Sequence, residues 1–148
     1  MIIGNTTDDI VVGDKTFVFG LDPNHAPEKL SDITSDFTVV VFGASWCPKC
    51  REEIPEIAGH YPKWKKQGVE VVFVSLDEDE ESFSRFVKDF PFISTSDYKK
   101  WDSPIVNDYY VFATPTMYLL DSNREILLRP KSVRQMDAWI DWYLVEGN

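Results

Sequence analysis

The chain has 148 residues, 43% hydrophobic and 27% charged, a balance typical of one soluble globular domain with a sizeable core. Its formal net charge is −10 and it has no basic stripe, which argues against nucleic-acid binding and against attraction to anionic membranes. No run approaches the roughly 20 apolar residues that a membrane-spanning helix needs. We therefore expect one domain over residues 1–148, a monomer that binds no nucleic acid and inserts into no membrane.

Residues 1–33 are predicted to form an N-terminal extension. Ile10–Val12 and Thr16–Phe19 are short apolar runs on either side of Gly13–Asp14, a pattern that predicts a β-hairpin. Residues 1–9 carry neither the basic segment nor the apolar segment of a signal peptide, so we expect no signal peptide in this chain.

The core pattern begins with two strands joined by a helix. Phe37–Phe42 and Val69–Leu76 are continuous, largely β-branched runs, which predict strands buried on both faces of a sheet. The helix is predicted to begin at Pro48, with an apolar face made of Ile54, Ile57, Ala58, Tyr61 and Trp64. Because proline removes a helical donor, we predict a kink near Pro55 and a break over residues 59–62.

A second helix and an insertion follow. Asp77 is predicted to cap this helix, whose apolar face carries Phe83, Phe86, Val87 and Phe90. Residues 91–103 are interpreted as an insertion with a short strand and a loop. Ser103–Pro104 then predicts the start of a short helix, since proline favours the first helical position.

The end of the chain predicts an antiparallel pair and a last helix. Thr116–Leu120 and Glu125–Arg129 are the two strands, and Ser132 with Gln135 forms the capping box of the helix. The whole order predicts an α/β fold with a mixed central β-sheet flanked by helices on both faces.

Cys47 and Cys50 are the only cysteines, and they lie where the first strand passes into the helix. The unpaired N–H groups of the first helical turn and the helix dipole favour a thiolate at Cys47. Lys49 and Arg51 add positive charge nearby. Cys50 lies one turn later, close enough to form a disulfide. We predict a redox-active pair in which Cys47 attacks a substrate disulfide and Cys50 resolves the mixed disulfide; the reverse reaction would oxidise a dithiol.

Other interpretations of the pair remain open from the residues alone. A structural pair or half a zinc site is one, although zinc usually takes four ligands and there is no second C-x-x-C. His25 and His60 lack ligand spacing to the cysteines. A carrier that binds Cu(I) through both thiolates is another, and a redox-inert binding module would leave the pair without a use. We expect no metal site and no cofactor beyond the Cys47–Cys50 disulfide.

The sequence around the cysteines resembles a known family. FGASWCPKC at residues 42–50, Glu53, Pro55 and Thr114-Pro115-Thr116 resemble the thioredoxin-like thiol–disulfide oxidoreductases of the TlpA/ResA type. The resemblance runs from about residue 36 to residue 144 and implies a thioredoxin fold for a core over residues 36–145.

The resemblance also assigns a substrate-binding surface. It implies that Pro115 is a cis-proline facing the two sulfurs, and that the backbone of Thr114 pairs with an extended substrate segment. Trp46 is expected to pack beside the disulfide and to shape this surface with Pro48 and Lys49. A half-buried structural tryptophan is the plainer interpretation of Trp46.

Two positions depart from simple thioredoxins. Their active-site dipeptide is Gly-Pro, whereas this chain has Pro48-Lys49, so their redox potential cannot be transferred. They also carry a buried aspartate where this chain has Val41. In ResA-like proteins a glutamate at the position of Glu53 lines the active-site cavity, which implies a catalytic Glu53 that carries a proton for the resolving thiol. Spacing alone fits a solvated helix glutamate equally well.

The resemblance implies a thiol–disulfide oxidoreductase that acts on protein disulfides or dithiols, as a reductase or an electron-relay component in cell redox homeostasis, with an upstream redox partner. It also implies an extracytoplasmic location, periplasmic or membrane-tethered. The alternatives within the superfamily are a thiol peroxidase and a Cu(I)-binding chaperone. Ala44 stands where peroxiredoxins have threonine, and no histidine lies near the Thr114–Pro115 loop to serve as the further ligand of a copper chaperone.

Overall fold

Five strands form one mixed sheet at the centre of the fold. The computed structural model describes residues 35–96, 98, 100–102, 111, 113–123 and 125–145. The predicted hairpin in residues 1–33 and the predicted helix start at 103–104 lie outside them. The strands are β1 (Phe37–Gly43), β2 (Val69–Ser75), β3 (Ile93–Ser96), β4 (Thr116–Leu120) and β5 (Ile126–Leu128).

The strand order is β3-β2-β1-β4-β5. β1 pairs in parallel with β2, and β2 with β3, whereas β1–β4 and β4–β5 are antiparallel. The predicted mixed sheet is thus confirmed, and the insertion supplies its edge strand β3. Because β1 is the central strand, the residues that follow its carboxyl end lie at the middle of the sheet rather than beside an outer strand.

Three α-helices accompany the sheet within the described residues. They are α1 (Pro48–Lys66), α2 (Glu80–Val87) and α3 (Val133–Val145), and a short 3-10 helix spans Lys100–Asp102. Ser132 Oγ accepts a hydrogen bond from Gln135 N at 3.1 Å, so Ser132 caps the last helix as predicted. The Gln135 Oε1 atom accepts from Lys131 N at 2.7 Å, rather than from the Ser132 N–H that a capping box uses. No helix in these ranges is both long and apolar enough to cross a bilayer.

The sheet buries both of its faces. The larger cluster joins alternate residues of β1, β2 and β4 to side chains from all three helices, and it includes both cysteines. The opposite face carries the other alternate residues, packed with Leu76, Val111 and Ile126. Burying one such side chain stabilises the fold by about 1.5–3 kcal/mol, and the cysteine pair belongs to the larger of the two buried clusters.

Helix α1 contradicts one prediction, because it continues without a break over residues 59–62. Pro55 and Pro62 are both exposed, so water can solvate the carbonyl groups that lose a helical donor. On the opposite side Ile54, Ile57 and Trp64 are fully buried. Their packing against the sheet offsets the two missing backbone bonds.

The prediction that Asp77 caps the second helix is also wrong. Asp79 is the N-cap, and its Oδ2 accepts a hydrogen bond from Ser82 N at 2.8 Å. Asp77 is only 1% exposed, at the carboxyl end of β2. A run of five acidic residues offers several possible caps, and long-range partners at the sheet edge decide which one is used.

Candidate active site

The cysteine pair lies where β1 ends and α1 begins. Cys47 is the N-cap of α1, in an extended conformation, and Pro48 occupies the first turn. The Cys47 Sγ accepts a hydrogen bond from Cys50 N at 3.2 Å. Both residues are free thiols and buried. The expected placement of the nucleophile at a helix N-terminus is therefore present, in the reduced form of the pair.

The two thiols differ in acidity. Burial opposes ionisation of Cys47, but hydrogen bonds from the side chain and the backbone N–H of Cys50 outweigh it and lower the pKa of Cys47 below its ordinary value. Burial, together with the hydrogen bond to Cys47, raises the pKa of Cys50 to about 12. The pair therefore has one thiol that ionises easily and one that stays protonated while its neighbour is a thiolate.

Cys50 packs directly against the backbone of β1. A Cβ placed on Gly43 would lie 2.6 Å from Ile54 Cδ1 and 3.0 Å from Cys50 Sγ. Both distances are too short for an unrelaxed contact, so glycine at position 43 lets the resolving sulfur lie close to the central strand.

The Thr114–Pro115 loop lies opposite the cysteines. The peptide bond between these residues is cis, and the Cys47 thiol donates to the Thr114 carbonyl at 3.6 Å. Antiparallel pairing of Phe42 with Thr116 places the loop there. The structure thus brings Thr114 and Pro115 to the cysteine pair, and their role in binding substrate stays a prediction.

An exposed rim surrounds Cys47. Trp46 is 43% exposed, and Pro48 and Lys49 are exposed as well. Lys49 Nζ lies 3.9 Å from Glu52 Oε2 in a pair open to solvent, which contributes little to stability. These three side chains are therefore exposed beside Cys47, and their role in binding substrate stays a prediction.

Glu53 is buried rather than solvated. Its side chain lies one turn after Cys50 and the residue is 8% exposed. Its Oε1 accepts a hydrogen bond from Val133 N, at the start of α3, at 3.2 Å. The solvated-glutamate interpretation is excluded by this burial, whereas the proton-carrier role stays a prediction.

The sequence interpretation did not identify Asp77 as part of the site. Its carboxylate bonds to Ser45, two residues before Cys47. The available signal was an acidic residue directly after a buried parallel strand, since carboxyl ends of such strands meet at one edge of a sheet. In the described part of the chain no three His, Cys, Asp or Glu side chains gather as metal ligands.

Comparison with known proteins agrees with this geometry. A family model described as thioredoxin-like matches residues 35–126. The thiol-disulfide oxidoreductase ResA of Geobacillus kaustophilus is 31% identical over 124 residues, which cover 84% of this chain and 66% of that protein. This chain thus spans slightly less than two thirds of that relative.

Solved structures give the same fold. A putative thiol:disulfide interchange protein DsbE from Chlorobium tepidum is 30% identical with a TM-score of 0.69, over 92% of this chain and 96% of its own. A thiol:disulfide interchange protein from Bacteroides sp. superposes with a TM-score of 0.78 over 100% of this chain and 97% of its own, at 18% identity. At that identity the second match supports the fold alone.

Proposed function

The chain belongs to the thioredoxin-like family, and from this premise we propose that it is a thiol–disulfide oxidoreductase that exchanges disulfides with protein substrates. The observation that carries the proposal is the asymmetry of the two thiols. Cys47 has a lowered pKa at the N-terminus of α1, and Cys50 has a pKa raised to about 12 behind it. A thiol that ionises easily, followed by a thiol that stays protonated, is what a two-step exchange requires.

The first step forms a mixed disulfide. The Cys47 thiolate attacks one sulfur of the substrate disulfide, the substrate S–S bond breaks, and the leaving sulfur takes up a proton. Trp46, Pro48 and the Thr114–Pro115 loop form the surface on which an extended segment docks, with the backbone of Thr114 as its hydrogen-bonding partner.

The second step releases the substrate. Once Cys47 is in a disulfide, the hydrogen bond and the negative charge that raise the pKa of Cys50 are removed, so Cys50 ionises more easily than in the free dithiol. The Cys50 thiolate attacks Cys47 Sγ, which forms the Cys47–Cys50 disulfide and frees the second substrate thiol. Two electrons and two protons pass to the substrate. Glu53, on the same helix face, is the proposed acceptor of the Cys50 proton.

The direction proposed is reduction, as a specific reductase or a component of an electron relay. An upstream dithiol must then reduce the Cys47–Cys50 disulfide after each turnover. The location proposed is extracytoplasmic, on the TlpA/ResA resemblance. The names of the ResA and DsbE relatives, which describe oxidoreductases and interchange proteins, support the same reaction class.

A redox titration tests the proposal. The protein is equilibrated in graded redox buffers and its free thiols are trapped by alkylation, with Cys47→Ser and Cys50→Ser as controls. A reversible two-electron transition is expected, and a midpoint near about −270 mV supports a reductase, whereas one near about −120 mV indicates an oxidant. The Cys50→Ser variant should also accumulate a mixed disulfide with a substrate protein. If both thiols stay free at every potential, exchange is excluded and Cu(I) binding by the two thiolates becomes the hypothesis to test.

A further inference from the structure

Asp77 is a buried carboxylate that the exchange steps do not use. It is 1% exposed and lies just beyond the carboxyl end of β2. Its Oδ1 accepts from Ser45 Oγ at 2.5 Å, and its Oδ2 accepts from Ser75 Oγ at 2.5 Å. Ser45 N also lies 3.3 Å and 3.2 Å from the two carboxylate oxygens. A buried carboxylate is costly unless it is hydrogen-bonded. The bonds from Ser45 and Ser75 meet this requirement, and they also hold the two serines in place.

Ser45 belongs to the loop that carries the nucleophile. Only Trp46 separates it from Cys47, and the loop is closed by a hydrogen bond from Cys47 N to Ala44 O at 3.2 Å. The carbonyl of Ser45 accepts from Arg51 Nη1 at 2.9 Å. Both backbone polar groups of Ser45 are thus held, one by Asp77 from the neighbouring strand and one by Arg51 from α1.

Asp77 itself is anchored to the sheet on its other side. Its backbone N donates to Ser75 Oγ at 2.9 Å, and its carbonyl accepts from Ser96 Oγ at 3.3 Å. The capping of the second helix falls to Asp79, so that role does not account for Asp77. Asp77 therefore links the ends of β2 and β3 to the loop before Cys47.

We propose that Asp77 is a positioning residue for Cys47, which acts through Ser45 to hold the nucleophile in hydrogen-bonding reach of Cys50 N. The inference rests on the proposed function, since it concerns the same thiol. A charged carboxylate can accept from the Ser45 N–H, the Ser45 hydroxyl and the Ser75 hydroxyl together. Asparagine at position 77 has only one side-chain oxygen to accept these bonds. Its NH₂ group is a donor and cannot accept from the N–H or the hydroxyl of Ser45.

The test compares Asp77→Asn, Ser45→Ala and the matched control Asp79→Asn in the full chain. The rate of Cys47 alkylation by iodoacetamide is measured against pH, in a Cys50→Ser background as well as in the native pair. Weakening the Cys50 N–H bond to the thiolate should raise the pKa of Cys47 and slow its alkylation at neutral pH by about fivefold. Asp79→Asn removes the same charge two residues away and keeps a good helix cap, so its rates should match those of the wild type.

The sign of the change separates positioning from simple electrostatics. Loss of a negative charge near Cys47 would by itself lower the pKa of the thiol, whereas loss of positioning raises it. A raised pKa in both Asp77→Asn and Ser45→Ala, where no charge changes, supports the proposal. An unchanged or lowered pKa in folded Asp77→Asn overturns it, even if the free energy of unfolding has fallen.

Alkylation needs no disulfide exchange, so this experiment is independent of the redox titration. If the wild type shows no redox transition, the proposed function fails while the alkylation comparison still tests Asp77. If Asp77→Asn unfolds, Ser45→Ala decides alone, because it keeps both the carboxylate and the loop N–H. In that case an alkylation profile equal to that of the wild type overturns the proposal.

Discussion

Glu53 on the active-site helix accepts a hydrogen bond from the backbone N–H of Val133, 80 residues further along the chain, at 3.2 Å. Val133 is the first residue of α3, and the first N–H groups of a helix have no partner within it. The carboxylate supplies one and also interacts favourably with the positive end of the helix dipole. One side chain therefore joins α3 to α1 a single turn after Cys50.

Replacing Glu53 should separate its structural and chemical roles. Glu53→Gln keeps an oxygen for Val133 N and should change the free energy of unfolding by less than about 1 kcal/mol, whereas Glu53→Ala leaves a buried N–H unpaired and should cost about 1–3 kcal/mol. Urea unfolding measures both. If Glu53 accepts the Cys50 proton, a Glu53→Gln protein that retains Cys50 should release substrate from its mixed disulfide more slowly.

The control is Glu52→Gln, because Glu52 is exposed and lies on the same turn. It should match the wild type in both stability and release rate. A Glu53→Gln protein that releases substrate at the wild-type rate would remove Glu53 from the proton path and leave it as the partner of α3.

The two thiols should react in a fixed order. The lowered pKa of Cys47 means that its thiolate persists to lower pH, so iodoacetamide should modify it below the ordinary cysteine pKa of about 8.5. Cys50, with a pKa raised to about 12, should be modified only after Cys47. Peptide mass spectrometry after timed alkylation distinguishes the residues. In urea both should titrate near the ordinary value, and equal reactivity in the folded protein would contradict the assigned roles.

Gly43 and Gly59 should respond oppositely to the same substitution. Gly43→Ala places a methyl group 2.6 Å from Ile54 Cδ1 and 3.0 Å from Cys50 Sγ, so it should destabilise the protein by about 1–3 kcal/mol and slow closure of the disulfide. Gly59 is helical, and its added Cβ meets nothing within 4 Å, so Gly59→Ala should stabilise by about 0.5–1 kcal/mol. Urea unfolding and timed oxidation provide both measurements; a neutral Gly43→Ala would show that Cys50 can move without cost.

Asp137 should make part of the stability depend on pH. Burial opposes its ionisation, but hydrogen bonds from Lys63 and Trp64 outweigh this and lower the pKa of the carboxyl group. A lowered native pKa contributes stability above the unfolded value of about 3.9, and this contribution is lost as the pH falls through the native pKa. Asp137→Asn should therefore be less stable than the wild type at pH 7 by about 1 kcal/mol. Its free energy of unfolding should fall less than that of the wild type when the pH is lowered.

Asp141→Asn is the control for this pair of helices. Asp141 also contacts Lys63, but its side chain is 50% exposed, so its replacement should change stability by less than about 0.5 kcal/mol. Urea unfolding at pH 7 and near pH 3 gives the comparison. Equal acid sensitivity in Asp137→Asn and the wild type would assign the loss to other carboxyl groups.

Local sequence signals were sufficient for the strands and the cysteine pair. The β-branched run of β1, the turn before β5 and the cap at Ser132 are each determined by residues a few positions apart. The C-x-x-C motif between a strand and a helix is likewise defined by four consecutive residues. Such features can be predicted because their physical causes are short-range.

The errors arose where distant partners decide the outcome. Asp77 has the local features of a helix cap, but its carboxylate accepts hydrogen bonds from Ser45, which follows the end of the neighbouring strand. Pro55 and Pro62 weaken α1 locally, but burial of Trp64 and its neighbours against the sheet holds the helix together. The partner of Glu53 lies 80 residues away, which spacing along one helix cannot reveal.

Pairing of Phe42 with Thr116 makes the active site a product of the completed sheet. Cys47 and Thr114 are 67 residues apart in the chain and become neighbours only when β4 has aligned with β1. A slip of two residues would carry the Thr114 carbonyl about 7 Å along the strand, beyond reach of the Cys47 sulfur. A chain that has formed β1 and α1 alone would place Cys47 at the N-terminus of α1 without the Thr114 carbonyl beside it, so this half of the site depends on the pairing of β4 with β1.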